Sequence, residues 1–309
     1  MEGFADRLAE SVRRCRTPVL VGLDPRVADL PDGLLDPADA GRREAVGAAF
    51  AAFCRGVIDV VAPLVPAVKP QSAFFEQLGP PGAVALADVV AHARSRGLLV
   101  ILDGKRNDIG STAIAYAEGY LGPPDESAWG ADALTVSPYL GDDSLEPFIA
   151  TAVARRAGVF VLVKTSNPGG AMLQDRHCDG RPIYRHVADY IEPWAERTAG
   201  QCGYGAVGAV VGATFPEQLA ELRSAMPRAW LLVPGYGSQG GTARDVAAAM
   251  DSRGLGAIIN NSRGIIFAHK RPPYQERFGA RRWHEAVEAA TREMIAQLAD
   301  DTPAGQLGA

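Results

Sequence analysis

Two kinds of hydrophobic pattern alternate along the chain. Short, near-continuous apolar runs recur eight times: "PVLVGLD" (18–24), "LVPAVKP" (64–70), "LLVILD" (98–103), "ADALTVS" (131–137), "VFVLVK" (159–164), "AVGAVVG" (206–212), "WLLVP" (230–234) and "GAIINNS" (256–262). Their length and β-branched content predict strands buried on both faces. Between them lie stretches such as 43–61, 83–97, 111–122 and 216–226, with apolar residues three or four apart, the spacing of helices laid on a core by one face. Several of these close at glycine or proline, as helix stops do. Strands without a polar face, each followed by a helix, predict a parallel sheet covered on its outer side. Eight such units in about 250 residues predict a closed (β/α)8 barrel of the α/β class rather than an open sheet. The segment 4–15 and a helix at about 279–299 fall outside the eight units, as N-terminal and C-terminal additions. No linker divides the chain, so residues 1–309 read as one domain, with 300–309, "DDTPAGQLGA", expected to be a disordered tail. The stretch 165–182, "TSNPGGAMLQDRHCDGRP", reads as a long loop of the kind that is either functional or mobile.

Composition narrows the class of partner. At 309 residues, 47% hydrophobic and 22% charged, the chain can bury a large core. A net charge of −5 and a pI near 5.6 give no general attraction to nucleic acid or to an anionic membrane, so any anion must be held locally. A small-molecule partner is expected. The start, "MEGFADRLAESVRRC", has no apolar signal core, and no later run is long and apolar enough to span a bilayer, which predicts a cytoplasmic protein. Cys15, Cys54, Cys178 and Cys202 form no CxxC pair, and His177, Cys178 and His186 lack a recognised ligand spacing, so neither a disulfide scaffold nor a metal site is expected.

The chemistry gathers at the ends of the strands, where a (β/α)8 barrel carries its active site. The first strand ends in Asp24, the second in Lys69, the third in Asp103 and Lys105, the fifth in Lys164 followed by Thr165 and Ser166, and the eighth in Asn261, Ser262 and Arg263. Asp103 and Lys105 are two apart, so they share a face if the strand continues through Gly104. With Lys69 and Asp108 they form a set of alternating sign that would hold a lysine charged and aimed, a proton source rather than a Schiff-base amine. Gly235, Gly237 and Gly240 spell GxGxxG after the seventh strand, but they do not open a βαβ domain, and the next strand ends in asparagines where a dinucleotide site needs an acid. The better reading is the phosphate site that barrels build from the loops after strands 7 and 8, with backbone amides and a helix N-terminus around the anion and Arg263 as a bidentate clamp.

"LDGKRNDIGSTA" fits the D-x-K-x-x-D signature of the orotidine 5′-phosphate decarboxylase family, and "VGLDPR", "VKPQSAFFEQLG", "TSNPGG", "PGYGSQGG" and "NNSRGI" fall in that family's order. The resemblance covers roughly residues 18–268 and is nearest to the longer bacterial branch (type 2) of the family; "NNSRGI" departs from its pattern at Asn261. It implies a cofactor-free conversion of orotidine 5′-phosphate to uridine 5′-phosphate and carbon dioxide. By motif, Lys105 is implied as the proton donor to C6, with Lys69, Asp103 and Asp108 completing the charge network. Asp24 is implied as a ribose ligand, Ser166 as the reader of the pyrimidine amide and Pro234 as a wall of the base. Gln239, Gly240 and Arg263 match the phosphate binders. The family's homodimer implies that Asp108 and Thr112 serve the neighbouring subunit. Three other readings compete: a metal-dependent hexulose phosphate synthase relative, which would carry Glu where Asp103 stands; Schiff-base chemistry at Lys69, Lys105 or Lys164; and a phosphate-binding barrel without turnover.

Overall fold

A computed structural model describes residues 2–237 and 240–308. Eight parallel strands close into a barrel, and the predicted runs supply them in order: β1 (Val19–Leu23), β2 (Ala67–Pro70), β3 (Leu99–Arg106), β4 (Ala133–Val136), β5 (Gly158–Lys164), then β8 (Val207–Val211), β9 (Leu231–Val233) and β10 (Ala257–Asn261), which pairs back onto β1. The remaining two strands, β6 (His177–Cys178) and β7 (Arg181–Pro182), form a small antiparallel hairpin within the long loop after β5. Helices follow the strands: α2 (Arg43–Val61), α3 (Ser72–Glu76), α4 (Pro80–Ser95), α5 (Gly110–Tyr120), α6 (Asp142–Ala154), α7 (Ile183–Arg197), α8 (Pro216–Ala225), α9 (Ala243–Val246) and α10 (Arg263–Ile266). α1 (Phe4–Cys15) precedes the barrel; α11 (Tyr274–Phe278) and α12 (Trp283–Asp301) follow it.

Two-residue periodicity splits each strand between two cores. Val19, Val21, Val68, Val100, Leu102, Leu134, Val159, Val161, Val207, Leu231 and Ile259 face outward into the layer beneath the helices. Their neighbours Leu20, Ala67, Leu99, Ile101, Ala133, Phe160, Val210, Leu232 and Ile258 face inward. The interior is filled, as in other barrels of this size. Its lower end is closed by α1, which buries Phe4, Ala5, Leu8, Ala9 and Val12 against the inward set. The Phe4 ring meets Phe160 edge-on at 6.0 Å, and Gly158 leaves the room: a Cβ there would lie 2.2 Å from the Phe4 ring. The N-terminal helix is therefore the floor of the barrel rather than an appendage.

The tail corrects the sequence reading. α12 runs to Asp301 and is followed by a 3-10 helix, Pro303–Gly308, in which Ala304 is buried. Gly254, in the turn before β10, approaches this segment so closely that a Cβ would sit 2.7 Å from the Pro303 carbonyl oxygen. A run this short and rich in small residues carries no periodicity, so its docking could not be seen in the sequence. No helix among the described residues is long and apolar enough to cross a membrane.

Candidate active site

The mouth of the barrel follows from the parity of the strands. Stepping by two from each inward residue reaches the polar set: Leu20 leads to Asp24, Ala67 to Lys69 and Gln71, Ile101 to Asp103, Ala133 to Thr135, Leu232 to Pro234, and Ile258 to Asn260 and Ser262. These side chains line a cavity of about 260 Å3, joined by Lys105 near the end of β3, by Thr165, Ser166, Asn167 and Tyr236 from the loops, and by Arg263 at the start of α10.

Asp103 is its hub. One carboxylate oxygen accepts from Lys69 Nζ at 2.7 Å and from Gln71 Nε2 at 3.0 Å; the other accepts from Lys105 Nζ at 2.6 Å and Thr135 Oγ1 at 2.8 Å. Four donors satisfy a carboxylate that would otherwise be costly to bury. Burial alone would push the Asp103 carboxyl up, but the Lys69 and Lys105 ammoniums outweigh it and hold it well below the usual carboxylate range. Burial likewise pulls Lys69 down, and the charges of Asp103 and Asp24 more than reverse that, so it stays protonated. The Lys105 side chain is about 45% exposed where Lys69 is 5% exposed, which separates a lysine facing the open cavity from one that braces the hub.

β3 runs through Gly104, as Asp103 and Lys105 required, but with a register shift between Leu102 and Arg106. Lys105 itself takes a left-handed conformation, φ +45°, which costs a non-glycine residue of order 1 kcal/mol. Its backbone N–H donates to Thr135 Oγ1 at 3.0 Å, so the hydroxyl that supports Asp103 also holds the strained lysine. Strain of this kind persists where neighbours over-determine it, and such places are often functional.

A pH dependence follows. Asp103 has a folded pKa below its unfolded value, so its ion pairs contribute full stability above about pH 4 and lose it as pH falls toward the folded value. Lys69 is raised, so its contribution is complete below about pH 10 and is lost only as pH rises through the folded value. The stability gap between the parent protein and Asp103→Asn, measured by urea unfolding, should therefore be flat from about pH 5 to 9 and shrink below about pH 4. A gap that stayed constant down to about pH 2 would mean that the carboxylate's charge does not secure the mouth.

Asp24 and Arg263 bring opposite charges to the cavity wall. Asp24 Oδ1 is buried without a hydrogen-bond donor among the described residues, and Arg263 has no carboxylate partner among them. Asn261 Oδ1 accepts from the Gly264 N–H at 3.1 Å, fixing the turn that presents Arg263. The asparagine of this motif that reaches the cavity is Asn260, not the Asn261 singled out by sequence, because parity turns Asn261 outward.

Lys69, Asp103, Lys105, Asp24, Ser166, Pro234 and Arg263 thus come together, while Asp108, Thr112 and Gly240 do not line the cavity of their own chain. Asp108 accepts from the Ile109 N–H at 2.8 Å, and Thr112 is exposed on the first turn of α5. Gly240 has φ +98° and donates its N–H to Gly237 O at 2.9 Å; Gln239 lies outside the described residues. Of the two helix starts that follow the seventh and eighth barrel strands, the first is taken: Thr242 and Asp245 form a capping box at the start of α9, and an acid there disfavours a bound anion. Among the described residues, Arg263 and the turn residues Pro234, Gly235 and Tyr236 line this side of the cavity. Lys164 also departs from expectation. A register shift between Leu162 and Lys164 breaks the inward parity, and the side chain is wholly buried against Asp175 instead of facing the cavity. Gln71 and Thr135 were missed by sequence, although the same strand-end rule that selected Lys69 reaches both.

Fold and site define a (β/α)8-barrel enzyme whose mouth holds a Lys–Asp–Lys array and an arginine with no carboxylate partner among the described residues. Residues 17–275 match the model of the orotidine 5′-phosphate decarboxylase / HUMPS family. A Rhodopirellula baltica orotidine 5′-phosphate decarboxylase is 56% identical over 300 residues, covering 96% of this chain and 99% of that relative. The Deinococcus radiodurans orotidine 5′-phosphate decarboxylase is 43% identical, covering 86% of this chain and 89% of the other. Among solved structures, Leishmania donovani OMP decarboxylase superposes with a TM-score of 0.74 at 34% identity, covering 96% of this chain and 97% of that one. The chain belongs to the orotidine 5′-phosphate decarboxylase / HUMPS family, and its relatives place it on the decarboxylase side, with the carboxy-lyases of pyrimidine biosynthesis.

Proposed function

We propose that the chain converts orotidine 5′-phosphate to uridine 5′-phosphate and carbon dioxide without a cofactor, with Lys105 as proton donor to C6. The observation that carries this reading is the buried carboxylate Asp103 held between the ammoniums of Lys69 and Lys105 at the cavity wall. The bond from C6 to the carboxylate breaks and leaves its electron pair on C6. The Lys105 ammonium gives its proton to that carbon and recovers one from solvent. The pyrimidine cannot delocalise the developing charge well, so a fixed ammonium aimed at C6 is the main electrostatic support. Asp103 fixes that ammonium and stands beside the departing carboxylate; Lys69 keeps Asp103 ionised.

The remaining roles distribute over the same wall. Asp24, with its unpaired buried oxygen, takes a ribose hydroxyl; Ser166 reads the pyrimidine amide; Pro234 walls the base; Arg263, with Gln239 and Gly240, takes the phosphate. Asp108 and Thr112 serve a second copy in a homodimer. Support for a covering copy lies in exposed apolar side chains that adjoin them in the chain, Ile109 and Ile114, and in Tyr139 and Leu140 on the loop after the neighbouring strand β4, since exposed apolar side chains of this size mark interaction surfaces when they come together. A cytoplasmic location is proposed as well, in keeping with four cysteines that are all free.

The direct test is the loss of orotate-band absorbance when chelator-treated protein meets orotidine 5′-phosphate. No change with folded protein would end this reading. Arg263→Ala should weaken uridine 5′-phosphate by roughly 2–4 kcal/mol, the scale of a broken charge-assisted pair, and hardly touch uridine. Calorimetric titration with both ligands separates the two, and equal losses would assign Arg263 to bracing the fold.

A further inference from the structure

The loop after β5 is closed on itself by two side-by-side contacts. Lys164, the last residue of β5, is wholly buried, and its Nζ lies 2.5 Å from Asp175 Oδ1. Next to it the Thr165 N–H donates to Gln174 Oε1 at 3.0 Å, and Gln174 Nε2 donates to Thr165 Oγ1 at 2.9 Å. Residues 164 and 165 thus clasp residues 175 and 174, and the intervening chain becomes a compact loop whose ends meet, the geometry of an Ω-loop. Gly170 lies over the clasp, where a Cβ would fall 2.8 Å from both Gln174 Oε1 and Thr165 Oγ1.

This loop delivers Thr165, Ser166 and Asn167 to the cavity wall. Ser166 is seated from below as well: Thr214 Oγ1 donates to its carbonyl at 3.0 Å, and a Cβ on Gly212 would come within 2.7 Å of its Cα. A buried ammonium is costly unless paired, and besides Asp175 the rings of Phe215 and Tyr184 lie 4.6 Å and 5.9 Å from Lys164 Nζ. Asp175 has a side chain about one-third exposed, so the charge that pins the loop sits on its solvent side. Lys164 is thereby diverted from the chemistry to the loop.

We propose that Lys164 and Asp175 are positioning residues: their ion pair, with the Thr165–Gln174 contact, holds the 165–175 loop shut so that Ser166 meets the base. This rests on the role proposed for Ser166. In the intact protein Asp175→Asn should raise KM for orotidine 5′-phosphate about tenfold, the scale of one hydrogen bond lost from the bound state, and change kcat by less than about threefold. Limited proteolysis should cut within 165–175 sooner, and Asp175→Glu should restore KM. Ser166→Ala should raise KM in the parent but by less than about twofold in the Asp175→Asn background, because a loosened loop has already lost that contact. If Asp175→Asn does not fold, Gln174→Leu opens the adjoining contact without stranding a buried charge and should show the same KM rise and the same non-additivity. Unchanged KM in a folded Asp175→Asn, or in Gln174→Leu if that is the variant that folds, with a parent that still responds to Ser166→Ala, overturns the clasp. An unresponsive Ser166→Ala in the parent overturns the role of Ser166 instead.

Discussion

Lys105→Ala should lower kcat about ten-thousandfold or more, since in the proposed mechanism one side chain supplies both proton transfer and the charge facing C6, each commonly worth a hundredfold or more. Uridine 5′-phosphate should still bind measurably, because Arg263, Asp24 and Ser166 are untouched and the lysine's main interaction develops only in the transition state. The fold should survive. The Lys105 side chain is nearly half exposed, and Asp103 keeps Lys69, Gln71 and Thr135 as donors. Single-turnover rates with the variant, beside a titration with uridine 5′-phosphate, check both halves. A variant that kept even a tenth of kcat would assign the proton to another group, and Lys69 would be a poor replacement because it is buried and committed to Asp103.

The residues show why much of this site was legible. A parallel barrel forces apolar runs on its strands, so a charge at a run's end is conspicuous, and stepping by two from the inward residues fixes which ends converge. Asp24, Lys69, Asp103 and Pro234 lie where that rule puts them. Lys164 obeyed the same pattern and was misplaced by it. Its direction depends on a register shift and on Asp175, eleven residues on in a loop without periodicity. Asn260 and Asn261 were exchanged for a related reason: adjacent identical side chains leave the choice to parity alone. The phosphate corner was harder still, because GxGxxG describes backbone freedom and does not reveal that Thr242 and Asp245 occupy the following helix start. Docking of the 303–308 segment depends on the approach of Gly254, a contact between distant parts of the chain that no local pattern announces.

Mixing two inactive variants should return activity if the proposed dimer shares its sites. Asp108 lies two residues beyond Arg106, the end of β3, yet its carboxylate accepts from Ile109 and takes no part in the Asp103 network of its own chain. Ile109 beside it is 55% exposed, as a residue awaiting a partner surface would be. In a twofold dimer the signature would then serve two cavities, Asp103 and Lys105 at home and Asp108 next door. When Lys105→Ala and Asp108→Ala subunits exchange, each mixed dimer gathers both lesions in one site and leaves the other site whole. Random pairing makes half the dimers mixed, each with one good site of two, so about one quarter of parental activity should return, by the symmetry of an isologous interface. Should Asp108 act within its own subunit, every site keeps a lesion and nothing returns. Absence of rescue, with exchange confirmed by mass-tagged subunits, would reject the shared site and leave the assignment of Lys105 intact, because the latter rests on contacts within a single chain.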